Sequence, residues 1–451
     1  MNRSPWPRWL PLLIILGAYL VLATMYAVQT PVWQAPDEPA HYNYVRQLAN
    51  GRLPVMELGD YDEAYKNSVV GSRFAPEYSI EPITYEDWQP PLYYLLLTPV
   101  YTATHGSYLA LRLVSVLMGA GVIALAYALT LMLLPTYPWA AWTTAVFIAF
   151  LPQHIAMLAS INNDSLSELL IAALLFLLLR WILQPQTADS WRTPLLMGLL
   201  LGCGFLTKAQ VYLMAPSIGV ALLWRYWGQW RAFIHWSAIL FGPAFLLGAL
   251  WWVRNSLVYG GLDVMGKARH DAIVLGQPRT AEWIADLGLG ETITRFFQTT
   301  FNSFWGQFGW MAAPMPPWVY APLALLTLAA AAGLVVAWVK WRHTPFSLSR
   351  YTAVPLLLLF FFTVGLHVGY NLTFVQHQGR YLFPALIPIA LGFTLGLGAW
   401  VLWLQRPLQN RFTASKLTVI VPYLLPIALG LGLAALDLLA LVRFIVPNLQ
   451  P

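Results

Sequence analysis

The sequence predicts an all-α polytopic membrane protein, and three observations predict it. Hydrophobic residues make up 59% of the 451 residues and charged residues 10%. The apolar residues gather into runs of about 20, enough to cross a hydrocarbon core. Lys and Arg collect in alternate connections. The runs are Leu-rich and do not alternate, which selects helices over barrel strands, the two structures that satisfy backbone polar groups inside lipid. This hydropathy overrides the two or three soluble domains that length alone would suggest.

The first span covers about 9–29. Arg3 and Arg8 precede it as in a signal sequence, but Met25-Tyr26-Ala27-Val28-Gln29-Thr30 offers no small-x-small cleavage site, so it reads as an uncleaved span. A long outer loop follows, 30–106. Within it Pro36 and Pro39 bracket a helix start, residues 40–49 place Tyr42, Val45 and Leu48 at helical spacing, and Asn50-Gly51 ends the stretch as a C-cap would. Residues 57–88 are polar and acidic and read as mobile. Residues 91–104 are too few and too broken for a span and read as an interfacial helix along the outer leaflet. Spans follow at 107–134, 139–158, 164–183, 193–210, 211–226 and 232–253. A second outer loop, 254–318, carries Trp283, Trp305, Trp310 and Trp318 with Arg254, Lys267, Arg269, Arg279 and Arg295. That mixture suits an interfacial aromatic belt, and equally sugar stacking with phosphate contact. Spans at 319–339, 351–370, 381–404 and 417–443 make eleven, and 1–451 reads as one transmembrane domain. No internal repeat is visible, which disfavours transporters built on inverted repeats.

Charge placement orients the bundle. With a cytoplasmic N-terminus, the inner connections hold Arg3, Arg8, Arg180, Arg192, Arg225, Arg231, Lys340, Arg342, Arg350, Arg406, Arg411 and Lys416, with Asp189 as their acid. That is the positive-inside pattern. The expected location is the inner (plasma) membrane, multi-pass, with the site on the outer face. The net charge of +6 then reflects orientation and contact with anionic membrane lipids. Nucleic acid is not implied, because a basic face for it would need clustering that is absent. The single cysteine, Cys203, lies in a span and excludes an intrachain disulfide.

Scarce charge makes three constellations conspicuous. Asp37 and Glu38 stand near a helix start, where the dipole favours an ionised acid. As neighbours they point different ways, so one faces a cavity and the other supports it; a plain N-cap role for Asp37 is the alternative. His41, one turn on, is placed to reach Asp37 or a substrate, or simply to pack. Asn162-Asn163-Asp164 opens the fourth span on the same membrane face, and Glu168 adds a carboxylate one turn deeper, where ionisable groups face polar cavities. Gln376-His377-Gln378-Gly379-Arg380-Tyr381 precedes the tenth span. A guanidinium there suits bidentate phosphate recognition, with a snorkelling anchor as the alternative. Lys208 and Arg254 also map to outer helix ends. Three cations opposite carboxylates suggest an anionic substrate held against a base. His41, Tyr42, Tyr93, Gln378 and Tyr381 are the candidate substrate contacts.

Walker loops, dinucleotide fingerprints, H-E-x-x-H and G-x-S-x-G are absent from the sequence, so nucleotide-driven and zinc-protease chemistry find no support. The acids and His41, His154 and His377 do not show metal-ligand spacing. A divalent cation at the acids stays open, and no cofactor is called for.

At these residues the chain resembles the GT-C superfamily of integral-membrane glycosyltransferases. The resemblance is to protein O-mannosyltransferase and aminoarabinose-transferase relatives, and to a bacterial family sharing the P-D-E-P-A-H opening. Four features match in order: Asp37-Glu38, the P-P-L-Y-Y-L-L segment from Pro90 to Leu96, Asn163-Asp164, and G-R-Y-L-F-P from Gly379 to Pro384. L-T-K (Leu206 to Lys208) and W-W-V-R-N (Trp251 to Asn255) add to them. The resemblance implies a polyprenyl-phosphate-linked sugar donor and a glycan, lipid or protein acceptor. It implies that Asp37 is the catalytic base, with Glu38 beside it and Asp164 as the second acid, and that a single displacement inverts the anomeric carbon. Arg380, then Lys208 and Arg254, are expected to hold the donor phosphate. After about 443 a short tail remains, unlike the large C-terminal domain of oligosaccharyltransferases. The alternative function is transport or flipping of a polyprenyl-linked glycan, which should place ionisable residues along a mid-bilayer path. Here they collect at the outer rim, with Asp437 and Arg112 as the exceptions.

Overall fold

The computed structural model describes residues 7, 9–186, 190–341, 346–411 and 420–450. Arg3, Arg8, Asp189, Arg342 and Lys416, and the side chains of Arg406 and Arg411, used in the charge argument, lie outside what is described.

In chain order the helices are α1 (Leu10–Gln29), α2 (Glu38–Ala49), α3 (Glu63–Gly71), α4 (Leu92–Ala103), α5 (Tyr108–Leu133), α6 (Pro138–Ala149), α7 (Pro152–Leu158), α8 (Asp164–Leu183), α9 (Arg192–Phe205), α10 (Met214–Arg225), α11 (Trp230–Tyr259), α12 (Lys267–Ile273), α13 (Thr280–Leu287), α14 (Leu289–Trp305), α15 (Pro317–Val336), α16 (Arg350–Asn371), α17 (Leu386–Arg411) and α18 (Leu424–Leu439). A two-stranded hairpin, Gln307–Phe308 with Ala313–Pro314, is the strand pairing among the described residues. The protein is an all-helical multi-pass membrane protein.

Eight helical segments among the described residues are long and apolar enough to cross a membrane, or nine if one bent pair counts as a span. This corrects the expected eleven. The stretches 193–210 and 211–226 form α9 and α10, of 14 and 12 residues, separated by the 3₁₀ turn Ala209–Leu213. At about 1.5 Å per residue neither matches a hydrocarbon core of about 30 Å. The bent pair is α6 and α7, which meet at 64°. Pro152 lacks the N–H that the Ile148 carbonyl needs four residues back. His154 takes its place, Nδ1 donating to that carbonyl at 2.9 Å. Its Nε2 pairs with Glu168 at 2.7 Å, so the deeper carboxylate noted in the sequence is committed inside the bundle.

Small residues set the closest helix approach. A Cβ on Gly333 of α15 would lie 2.0 Å from the Gly396 carbonyl of α17, and one on Gly396 2.0 Å from the Ala330 carbonyl. Lipid supplies no hydrophobic drive between helices, so this backbone contact is how such pairs associate.

The first long loop, 30–106, is folded, against the expectation that 57–88 is mobile. Asp62 caps α3, accepting from the Tyr65 N–H at 2.9 Å. Asn43 Nδ2 donates to the Ile80 and Ile83 carbonyls at 2.7 and 2.9 Å, clamping the loop to α2. Ala40, Met56, Val69, Ile83 and Tyr85 share a small core with Ile273 and Val274 of the second loop. The helix expected at 91–104 is α4; its Tyr93, Tyr94 and Leu97 are buried, while Leu95 and Leu96 stay exposed.

Candidate active site

The turn between α1 and α2, the start of α8, the turn after α9 and the 3₁₀ turn Gly379–Ala385 that leads into α17 converge at one end of the bundle. Asp37 enters this junction with a left-handed backbone, φ 67°. Asp and Asn visit that region more readily than other non-glycine residues because their short side chains bond locally. The side chain does not cap α2. Instead Oδ2 accepts from Arg380 Nη2 at 2.7 Å and Oδ1 from the Tyr85 hydroxyl at 2.8 Å. Burial pushes the Asp37 carboxyl up, but the Arg380 guanidinium, His41 and the two hydrogen bonds outweigh it and hold the pKa down to about 2. Asp37 is therefore an ionised group with 23% of its side chain exposed.

Arg380 is held from three sides. Its Nε donates to Gln378 Oε1 at 2.7 Å, its guanidinium lies 5.3 Å from the Tyr381 ring, and Nη1 rests on Met157. Gly379 lets this happen through clearance. A Cβ there would sit 2.2 Å from the Thr300 carbonyl of α14, and its N–H donates to Ser303 Oγ at 2.7 Å.

Asp164, the first residue of α8, accepts from Lys208 Nζ at 2.6 Å. His41 lies between the two ion pairs: the charges of Asp37, Lys208, Asp164 and Arg380 all act on it. Burial dominates and lowers its pKa to about 3, leaving a neutral imidazole whose Nδ1 bonds the Tyr94 hydroxyl at 2.8 Å.

Four expected site residues are elsewhere. Glu38 is fully buried against Arg112, with Nε–Oε1 at 2.7 Å and Nη2–Oε2 at 2.6 Å, and also accepts the Ile161 N–H at 3.1 Å. Arg112 in turn donates to the Ala27 and Thr30 carbonyls, closing the C-terminus of α1. Glu38 thus ties α1, α5 and the α7–α8 turn together and offers no oxygen to a substrate, correcting its placement among catalytic residues. Tyr93 is sealed likewise, its hydroxyl bonding Ser115 Oγ at 2.8 Å and receiving the Asn162 N–H at 2.9 Å. Tyr42 donates to the Gly106 carbonyl at 2.9 Å and packs edge-on against Trp33. Arg254 is spent on Asn255, Tyr259 and the Pro54 carbonyl, over the Trp251 ring, so the structure does not bring it to the cations of the site. Buried donors and acceptors demand partners, and each of these side chains found one in the scaffold.

Sequence reasoning missed Glu86. Burial raises its carboxyl to about 8; the charge of Asp37 adds to the rise, and Lys208 and Arg380 oppose it. Its Oε2 is buried without a hydrogen-bond partner. The signal available was its place four residues before the P-P-L-Y-Y-L-L motif, in a stretch whose acids looked like solvated surface.

Among the described residues no group of three or more His, Cys, Asp or Glu is arranged to hold a metal. The carboxylates of Asp37 and Asp164 are neutralised by Arg380 and Lys208, so the donor set does not fit the divalent cation left open from the sequence. The arrangement pairs an ionised carboxylate with two cations of the kind that bind oxyanions.

The fold has likenesses among solved structures. The oligosaccharyltransferase of Archaeoglobus fulgidus, solved with zinc and sulfate, aligns at a TM-score of 0.51 and 14% identity, covering 92% of this chain and 53% of that one. The chain thus spans about half the length of that enzyme, and at this identity the likeness is one of fold alone. ArnT from Cupriavidus metallidurans bound to undecaprenyl phosphate gives a TM-score of 0.47 at 14% identity over 98% of this chain and 73% of that one. The protein O-mannosyltransferase complex of S. cerevisiae bound to its sugar donor gives 0.41 at 16% over 64% and 37%. No curated protein matches the sequence. One family does, over residues 79–389, a range that holds Glu86, Asp164, Lys208 and Arg380. The chain belongs to that family, described as predicted membrane protein (DUF2142).

Proposed function

We propose that the protein is a glycosyltransferase that moves a sugar from a polyprenyl-phosphate donor to an acceptor hydroxyl at the outer membrane face, with Asp37 as general base. The observation that carries this reading is the 2.7 Å contact of Asp37 with Arg380, beside the 2.6 Å contact of Asp164 with Lys208. A base and phosphate-binding cations share one end of a membrane bundle, where a lipid tail can stay in the bilayer while its head reaches polar groups. The GT-C-like fold and the order of the sequence motifs support the same conclusion.

The chemistry follows from charge. The acceptor oxygen attacks the anomeric carbon and gives its proton to Asp37. The bond from that carbon to the phosphate oxygen breaks, and its electron pair leaves with the lipid phosphate, where Arg380 and Lys208 meet the growing charge. One displacement inverts the anomeric centre. Arg380 must serve both anions. A donor phosphate that draws the guanidinium away from Asp37 removes the main attraction holding that carboxyl near 2 and raises its basicity when an acceptor can use it. Gln378 and Tyr381 orient Arg380, and Glu38 positions Asp37 through the backbone it anchors.

The test is purified protein in proteoliposomes with radiolabelled undecaprenyl phosphate sugars. Asp37→Asn should bind donor and lose turnover by about a thousandfold or more. Wild-type turnover in that variant removes Asp37 as base. Passage of the labelled lipid across the bilayer without sugar transfer would favour the transport reading instead.

A further inference from the structure

Among the acids whose charges act on one another around Asp37, two are matched by cations: Asp37 by Arg380 and Asp164 by Lys208. Glu86 is not. Its Oε2 is buried with no partner, although an orphaned buried oxygen costs about 1–3 kcal/mol. Two turns hold the segment, Asp87 N–H to the Thr84 carbonyl at 3.0 Å and Gln89 N–H to the Glu86 carbonyl at 2.9 Å. Tyr44 fixes its end by donating to the Gln89 carbonyl at 2.9 Å. Tyr85 is committed to Asp37 and Asp87 to Gln47, while Glu86 keeps one side-chain hydrogen bond, with Gln89, and its Oε2 is left over. The groups acting on it are Asp37, Lys208, Gln89 and Arg380. The titratable neighbours that feel it in turn are Tyr85, Asp87, Tyr94 and Tyr370.

Charge counting gives the unmatched acid a use. Asp37, Asp164, Arg380 and Lys208 sum to zero. A neutral Glu86 keeps that sum, whereas an ionised one adds a negative charge beside the base and against a phosphodiester donor. A protonated carboxyl also has both a donor and an acceptor to offer, which is what a sugar hydroxyl can answer.

We propose that Glu86 is a sugar subsite: its neutral carboxyl exchanges hydrogen bonds with a hydroxyl of the sugar carried by the donor, while Arg380 and Lys208 take the phosphate. This rests on the glycosyltransferase reading for its ligand class. The raised pKa of Glu86, about 8, supports the neutral state at pH 7.

The experiment compares sugar-free undecaprenyl phosphate with undecaprenyl phosphate carrying glucose or mannose, binding each to the full-length protein in detergent. Glu86→Ala should weaken the better sugar-bearing lipid on the order of tenfold more than the sugar-free one. An equal loss for both overturns the subsite, whether or not the protein turns over. Glu86→Gln, which cannot ionise, supplies a second measurement that survives if the Ala variant misfolds. Wild-type affinity for the sugar-bearing lipid should fall above about pH 8, and that fall should vanish in Glu86→Gln. The same alkaline fall in both overturns the proposal. Failure of the enzymatic reading shows separately, as absence of turnover in the wild type with the difference in lipid binding intact.

Discussion

Replacing Glu38 by Gln should unfold the protein before it touches the chemistry, while replacing its neighbour Asp37 by Asn should do the reverse. Glu38 and Arg112 form a two-bond ion pair at 2.6 and 2.7 Å with both side chains fully buried. Removing one partner of such a pair strands the other and costs about 3–5 kcal/mol. Arg112 keeps the Ala27 and Thr30 carbonyls at 2.8 and 2.9 Å, which favours the lower end of that range. Asp37 is more open, and its ionised form gains the difference between pKa 3.8 and about 2. At about 1.4 kcal/mol per unit, its loss costs about 2.5 kcal/mol. Thermal unfolding in detergent, read by tryptophan fluorescence, should therefore rank wild type above Asp37→Asn and Asp37→Asn above Glu38→Gln. Donor turnover should vanish in Asp37→Asn and follow the folded fraction in Glu38→Gln. A Glu38→Gln protein that melts with the wild type and binds donor normally, yet is inactive, would refute the scaffold assignment.

Other perturbations separate the remaining roles. Arg380→Ala should weaken undecaprenyl phosphate binding more than Arg380→Lys, since the lysine keeps charge and loses the fork; equal, wild-type-like affinity in both would remove the phosphate role. Burial raises the Asp87 carboxyl to about 8 against an ordinary 3.8. Its folded pKa is raised, so its stabilising contribution is complete below about pH 4 and is lost as pH climbs towards 8. Melting temperature should fall across that window, and fall less in Asp87→Asn; an unchanged slope would count against it. Gly379→Ala must push the 3₁₀ turn Gly379–Ala385 off the α14 backbone, and should lower donor affinity with Arg380 itself untouched. Wild-type affinity there would mean α14 yields freely.

Parts of this were legible in the sequence because they depend on local pattern. Long apolar runs give the spans, and Pro39 with the spacing of Tyr42 and Val45 gives α2, observed at Glu38–Ala49. The alternation of spans brings Asp37, Asp164, Lys208 and Arg380 to one end, where the pairs form. What depends on distant partners was not legible. Residues 57–88 look solvated until Asn43 clamps the carbonyls of Ile80 and Ile83. Adjacent acids look interchangeable until Arg112, a span residue, selects Glu38 and leaves Asp37. Arg254 reads like Arg380 until the Pro54 carbonyl claims it. Residues 139–158 read as one span, and neither the bend at Pro152 nor its repair by His154 was legible there.

The left-handed turn at Asp37 has a consequence for how this position tolerates exchange. Elsewhere aspartate and glutamate drift into one another cheaply. Here the longer acid would meet a backbone penalty of about 1–2 kcal/mol and swing its carboxylate past the place where Tyr85 and Arg380 wait. Loss of activity on lengthening the side chain therefore says nothing about charge. Asparagine is the closer blank: it keeps the bend and the side-chain length, removes the charge and the proton acceptor, and turns one accepting oxygen into an amide N–H₂ facing Arg380 or Tyr85.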